Sequence, residues 1–291
     1  MTKSIIYLFF LSIIGFLSSC GTTSTDPTPT NALTQATIDK ITAYGTSKGL
    51  TFTRTSEDIF YALTKTNATG RKPLESEYCK VHYTITKLDG TIVDSTAIVR
   101  NIPYSFLYSS ASNSLARYTA SFMKEGEVAI FVFPTTSNSN DPIAMNVTLL
   151  STRNETEQIS EYIQTSFKGI SFKTTASGLK YVLTKISASG DTVKIGKTAT
   201  VSYTGKFLYQ LKSADSNGFP IYTDKFDGGS FSLIVGTGAV VPGFEEAAKL
   251  MKTGDKGIFI LPSELGYKSV GRGTIAPYTP LLFEMEVTAV K

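Results

Sequence analysis

The stretch "VSYTGKFL" at residues 201–208 has a counterpart, "VHYTITKL", at residues 81–88. The match extends outward at the same offset of 120: "KGLTFTRTSEDIFYALTKTNATG" at 48–70 lies against "KGISFKTTASGLKYVLTKISASG" at 168–190. A period this long exceeds the ~20–50 residues of a solenoid repeat, so it marks a duplicated domain. The chain's 291 residues and 41% apolar content suit two cores.

Further along, "SFMKEGEVAIFVFP" at 121–134 parallels "KLMKTGDKGIFILP" at 249–262, with Met123 opposite Met251. The offset there is 128, so the second copy has gained eight residues. Alternating apolar positions in "AIFVF", "GIFIL" and "LLFEMEV" predict strands of an antiparallel sheet. "PGFEEAAKLMKTG" predicts a short amphipathic helix ended by Gly254, with Glu245 and Glu246 at the positive end of its dipole. Before each copy lies a segment with apolar residues at helical spacing: Ile38, Ile41 and Tyr44 in the first, Ile159, Tyr162 and Ile163 in the second. The second of these is expected to join the domains. Each copy therefore reads as α+β, a sheet wrapped on one helix.

The net charge of +4 is spread without basic blocks, which gives no reason to expect a nucleic-acid partner. One histidine and two cysteines cannot build a zinc site or a Cys-His nucleophile, so neither metal nor cofactor is expected. Cys79 is expected to be a buried strand residue, and His82, beside Tyr83, to point to the opposite strand face. At the N-terminus Lys3 precedes the apolar run 5–17, and "SSC" follows at once. This reads as a secretory signal, too short for a span of ~20 apolar residues. "LSSC" resembles a bacterial lipobox, which implies acyl chains on Cys20 and a membrane anchor. The Thr, Ser and Pro-rich segment after it reads as a disordered tether. The expected plan is a signal peptide at 1–19, a tether at 20–35, one domain at 36–153 and a second at 154–291. Localisation is expected at the outer membrane, facing the periplasm.

The second copy resembles the FKBP-type peptidyl-prolyl cis/trans isomerases. "VSYTG", "GSFSLIVGTGAVVPGFEEAAKLMKTGD", "LPSELGY" and "GTIAPYTPLLFEMEV" follow one another in family order. The resemblance implies a half-wrapped antiparallel sheet and one helix around an aromatic pocket for a proline ring. Matched residue by residue, the wall would be Tyr203, Phe231, Val240, Val241, Tyr267, Ile275 and Phe283, with Phe244 on the floor where the family most often has tryptophan. Tyr267 would supply a hydroxyl donor, and the backbone N–H of Val241 or Ile275 the peptide contact. Alanine at 244 and phenylalanine at 267 are each expected to lower activity with the fold largely intact.

The insertion "YQLKSADSNGFPIYTD" blurs where the family's Phe-Asp pair falls. Phe226 and Asp227 match by identity, whereas Tyr222 with Thr223 fits the spacing. In the first copy Tyr83, Asp94 and Tyr104 match family positions, but Ala116 stands opposite Phe244 and "NSLA" replaces the Val-Pro-Gly-Phe turn. That copy is expected to be degenerate. Two function classes fit: an isomerase of Xaa-Pro bonds in envelope polypeptides, or a non-catalytic polypeptide-binding module on the same anchor. A monomer that binds proline-containing polypeptides is expected in either case.

Overall fold

The computed structural model describes residues 33–112, 114–134, 141–216 and 219–291. The expected signal peptide, Cys20, the tether up to residue 32 and most of the short loop after Pro134 lie outside them. The chain divides into two compact units, one built from residues up to Glu75 with Cys79–Thr152, the other from Ser76–Tyr78 with Arg153–Lys291.

In the first unit the helix α1 (Gln35–Ser47) precedes strands β1 (Thr53–Arg54), β2 (Phe60–Lys65), β3 (Tyr78–Lys87), β4 (Ile92–Ser95) and β5 (Tyr104–Leu107). The helix α2 (Leu115–Ser121) and strands β6 (Val128–Phe133) and β7 (Ile143–Arg153) complete it. The sheet order is β1-β2-β6-β7-β3-β4, with β5 also beside β3. The second unit follows the same plan with α3 (Glu155–Ser166), β8 (Lys173–Thr174), β9 (Lys180–Lys185), β10 (Thr198–Ala214), β11 (Pro220–Ile234), α4 (Pro242–Lys249), β12 (Lys256–Leu261) and β13 (Leu281–Val290). Its order, β8-β9-β12-β13-β10-β11, repeats the first strand for strand, with the single β11 in place of β4 and β5. The fold is α+β, two open antiparallel sheets of like topology.

Period-two alternation assigns the faces. In β12 Phe259 and Leu261 join Phe283 and Met285 of β13 and Phe244, Ala247 and Ala248 of α4 in one buried cluster. The intervening Ile258, Ile260 and Leu282 point the other way, where Ile159, Tyr162 and Ile163 of α3 cover them. Burying one such aliphatic side chain contributes about 1.5–3 kcal/mol relative to exposure. The first unit repeats this: Ile38, Ile41 and Tyr44 of α1 cover Val132 and Ala144, opposite the face that α2 covers. Each sheet is thus sandwiched between two helices. The helical stripe read as a link between domains is a layer of the second unit.

An Asn154 capping box starts α3, and in its first turn the Glu155 carboxylate accepts hydrogen bonds from the N–H and hydroxyl of Ser263. Burial pushes the Glu155 carboxyl up from its ordinary value. Cys79 is fully buried in β3, its thiol donating to Thr152 Oγ1 at 3.7 Å. His82 is held by Thr96 Oγ1 at 3.0 Å and Asn101 Oδ1 at 3.1 Å, a packing role. No helix among the described residues is long and apolar enough to cross a membrane.

Helix α4 corrects one sequence expectation. It ends at Lys249, short of Gly254, which stands at φ +89° in the turn that follows. Its start at Pro242 agrees with the helical reading of "PGFEEAAKLMKTG", so Pro242 and Gly243 are its first residues after Val241 at the N-cap and not a turn ahead of it. Proline suits that place because its missing N–H would have no intrahelical partner there.

Candidate active site

The gained residues lengthen the β10–β11 hairpin into an arm, in which Lys212 pairs with Tyr222 and Ser213 with Ile221. Below a bulge between Gly205 and Lys206 the ladder is regular: Gly205 opposite Asp227, Tyr203 opposite Gly229, Val201 opposite Phe231. In this register the two candidate Phe-Asp pairs lie apart. Tyr222 and Thr223 lie out along the arm, while Phe226 and Asp227 stand beside Tyr203.

These residues line a hollow of about 330 Å³ between the sheet and the start of α4. Its lining includes Tyr203, Phe226, Asp227, Phe231, Val240, Val241, Phe244, Tyr267 and Phe283. Phe244 is the hub: its ring centroid is 5.4 Å from Tyr203, 5.6 Å from Phe231 and 5.2 Å from Phe283. Two of these contacts, Tyr203 against Phe244 and Phe244 against Phe283, are edge-on, as is Tyr203 against Phe231, the geometry in which a positive ring edge meets a negative face. Gly205 makes room for this packing, since a Cβ there would sit 2.7 Å from the Phe226 ring.

Ile275 is the exception among the expected wall residues. It is buried in the core and does not line the hollow. Its N–H already donates to the Arg272 carbonyl at 2.9 Å, so it is engaged in closing the 267–278 loop rather than facing the hollow. Sequence reasoning missed Arg272, Gly238 and Ala239, which do line it. Arg272 stacks over Tyr267, guanidinium to ring centroid 5.9 Å. Its position between Tyr267 and Ile275 was the available signal.

The polar feature is one hydrogen bond, Tyr203 Oη donating to Asp227 Oδ2 at 2.7 Å. The other Asp227 oxygen accepts from the Gly228 N–H at 2.8 Å. Burial first, then the bond to Asp227 and its charge, push the Tyr203 hydroxyl up to about 12. An unfolded tyrosine titrates near 10, so the fold favours the protonated hydroxyl. That contribution is whole below pH ~10 and is lost as pH rises through ~12. Asp227→Asn is therefore expected to bring the Tyr203 titration down. NMR titration of ring-labelled tyrosine, with Tyr203→Phe to assign the resonance, measures it; an unmoved titration would show that Asp227 has no such hold.

In the first unit Tyr83 Oη donates to Asp94 Oδ2 at the same 2.7 Å, and Tyr83 meets Tyr104 edge-on at 6.2 Å. The floor differs. Ala116 is buried where Phe244 stands in the other copy. Tyr118 and Phe122 do not replace it: Tyr118 donates to Glu57, and Phe122 packs on Tyr61 and Phe131. Among the described residues, no group of three or more His, Cys, Asp or Glu is placed to hold a metal ion.

The family model FKBP_C, FKBP-type peptidyl-prolyl cis-trans isomerase, matches residues 190–288, which span the hollow. FK506-binding protein 1B of Neurospora crassa is 30% identical over 104 residues, 35% of this chain and 90% of that protein. The chain belongs to the FKBP family. Longer FKBP relatives are also similar to it. FKBP-type peptidyl-prolyl cis-trans isomerase FkpA of Aeromonas hydrophila is 32% identical over 131 residues, 45% of each chain. A Haemophilus influenzae protein named "Probable FKBP-type peptidyl-prolyl cis-trans isomerase" is 38% identical over 127 residues, 42% of this chain and 47% of that one. The chain thus matches these two FKBP proteins over about half of their length.

Proposed function

We propose that the second unit catalyses cis/trans isomerisation of Xaa-Pro bonds in polypeptides. The observation that carries this is the ring cluster around Phe244, open on one side and bordered by the Tyr203–Asp227 pair. Rotating a peptide bond crosses ~18–20 kcal/mol because resonance is lost in the twisted state. A hollow walled by aromatic rings favours the less polar twisted amide over the planar one, and a ring seated on Phe244 holds one half of the bond while the other turns. No covalent step, metal or cofactor is required. Phe244 is the floor in this proposal. Tyr203, Phe226, Asp227, Phe231, Val240, Val241 and Phe283 form the wall, and Tyr267 donates to the peptide carbonyl.

The first unit serves in this proposal as a non-catalytic domain, since a proline ring over Ala116 meets no aromatic floor. Lipid on Cys20 would anchor the chain in a bacterial envelope, where its clients are unfolded polypeptides. Exchange NMR on Xaa-Pro peptides tests the activity with the full chain. Acceleration is expected, and Tyr267→Phe should lower kcat roughly three- to tenfold, the worth of one hydrogen bond, with the unfolding midpoint unchanged. No acceleration by the folded chain would leave the binding-module reading. A rate untouched by Tyr267→Phe would remove Tyr267 from the mechanism.

A further inference from the structure

Beyond Phe226, at the bulge, the residues of β11 that face the hollow are Asp227 and Phe231, and midway between them stands Gly229, opposite Tyr203. Cross-strand partners and residues two apart share a face, so a side chain at 229 would project beside the Tyr203 ring at the rim. It would meet nothing, for no atom lies within 4 Å of a Cβ placed there, and φ at Gly229 is outside the left-handed region. Neither conformation nor internal packing calls for glycine here. The contrast is Gly205, where a Cβ would strike Phe226. Because β11 ends the sheet, the gap at 229 opens sideways to solvent as a slot.

We infer that this slot receives the side chain of the residue preceding proline, which makes Gly229 a specificity-determining position. The inference rests on the isomerase reading above. With the proline ring seated on Phe244, the half that moves is the acyl half, which swings through about 180° about the Xaa-Pro bond. A bulky side chain on that half needs space to sweep through. A filled wall between Asp227 and Phe231 would meet it in mid-rotation, whereas alanine at that place in the peptide would clear it. The Tyr203–Asp227 hydrogen bond holds the carboxylate at one edge of the slot.

The test is Gly229→Ala and Gly229→Val in the full chain, assayed by NMR exchange and by equilibrium binding on otherwise identical Leu-Pro, Phe-Pro and Ala-Pro peptides. A β-branched residue suits an edge strand with open space around it, so both variants should unfold at the wild-type midpoint. For Gly229→Val, kcat/KM is expected to fall about tenfold on Leu-Pro and Phe-Pro and less than about twofold on Ala-Pro, with Gly229→Ala between. An equal fall on all three peptides, or no change on any, would overturn the slot. If the wild type binds peptides without accelerating them, the isomerase reading fails by itself and binding judges the slot. Weaker binding of Leu-Pro than of Ala-Pro by Gly229→Val then supports it. Equal changes, or no peptide binding by the wild type, reject it.

Discussion

Phe244→Ala is expected to lower the stability of the second unit by about 3–5 kcal/mol and the rate of Xaa-Pro exchange roughly a hundredfold. Phe244 is only 3% exposed, and its ring is held between Tyr203, Phe231 and Phe283. The floor of the hollow is therefore also part of the core. The expectation that alanine at 244 spares the fold is corrected on that ground: truncation leaves a cavity beside residues that cannot all close in. Phe244→Leu keeps most of the volume and should cost less stability while still losing the ring face. Urea unfolding followed alongside exchange NMR separates the two effects. A loss below about 1 kcal/mol for the alanine variant would mean that the rings repack, and the shared role of Phe244 would fall.

Gly243→Ala, one methyl group, is expected to act almost as strongly. A Cβ at Gly243 would lie 2.5 Å from Leu261 Cγ and 2.9 Å from Leu265 Cβ. Leu261 is fully buried, so it has nowhere to go. Helix α4 must then lift from β12, carrying Val240, Val241 and Phe244 away from the opposite wall. Overpacking of this kind costs about 1–3 kcal/mol, and the rigid site places this variant at the upper end. The rate of Xaa-Pro exchange should fall more than the folded fraction does, since the hollow is widened in the molecules that remain folded. Its test is a urea titration with exchange measured at a denaturant-free concentration where the variant is folded. Wild-type stability and rate together would mean that α4 does not sit as tightly on β12 as Gly243 implies.

The strand faces were legible in the sequence because period-two alternation reports directly which residues enter a core, as in "GIFIL" and "LLFEMEV". The duplication, and the family resemblance of the second copy, followed from ordered motifs at shared offsets. The stripes of α1 and α3 were legible as helices, but not as the second covering of each sheet, because a stripe tells that a face is buried and not against what. The Phe-Asp pair was ambiguous for a similar reason. Two candidate pairs lay within a few residues, and only the bulge at Gly205 and Lys206 with the ladder below it put Asp227, not Thr223, beside Tyr203. Ile275 shows the limit most clearly. The family resemblance placed it on the pocket wall, and it is buried, but whether it faces the hollow or the core depends on how the 267–278 loop closes through the paired Arg272 and Ile275 backbones. Residue type and local period determined which groups leave water; the side of the wall on which they do so was decided by backbone pairing between segments distant in sequence.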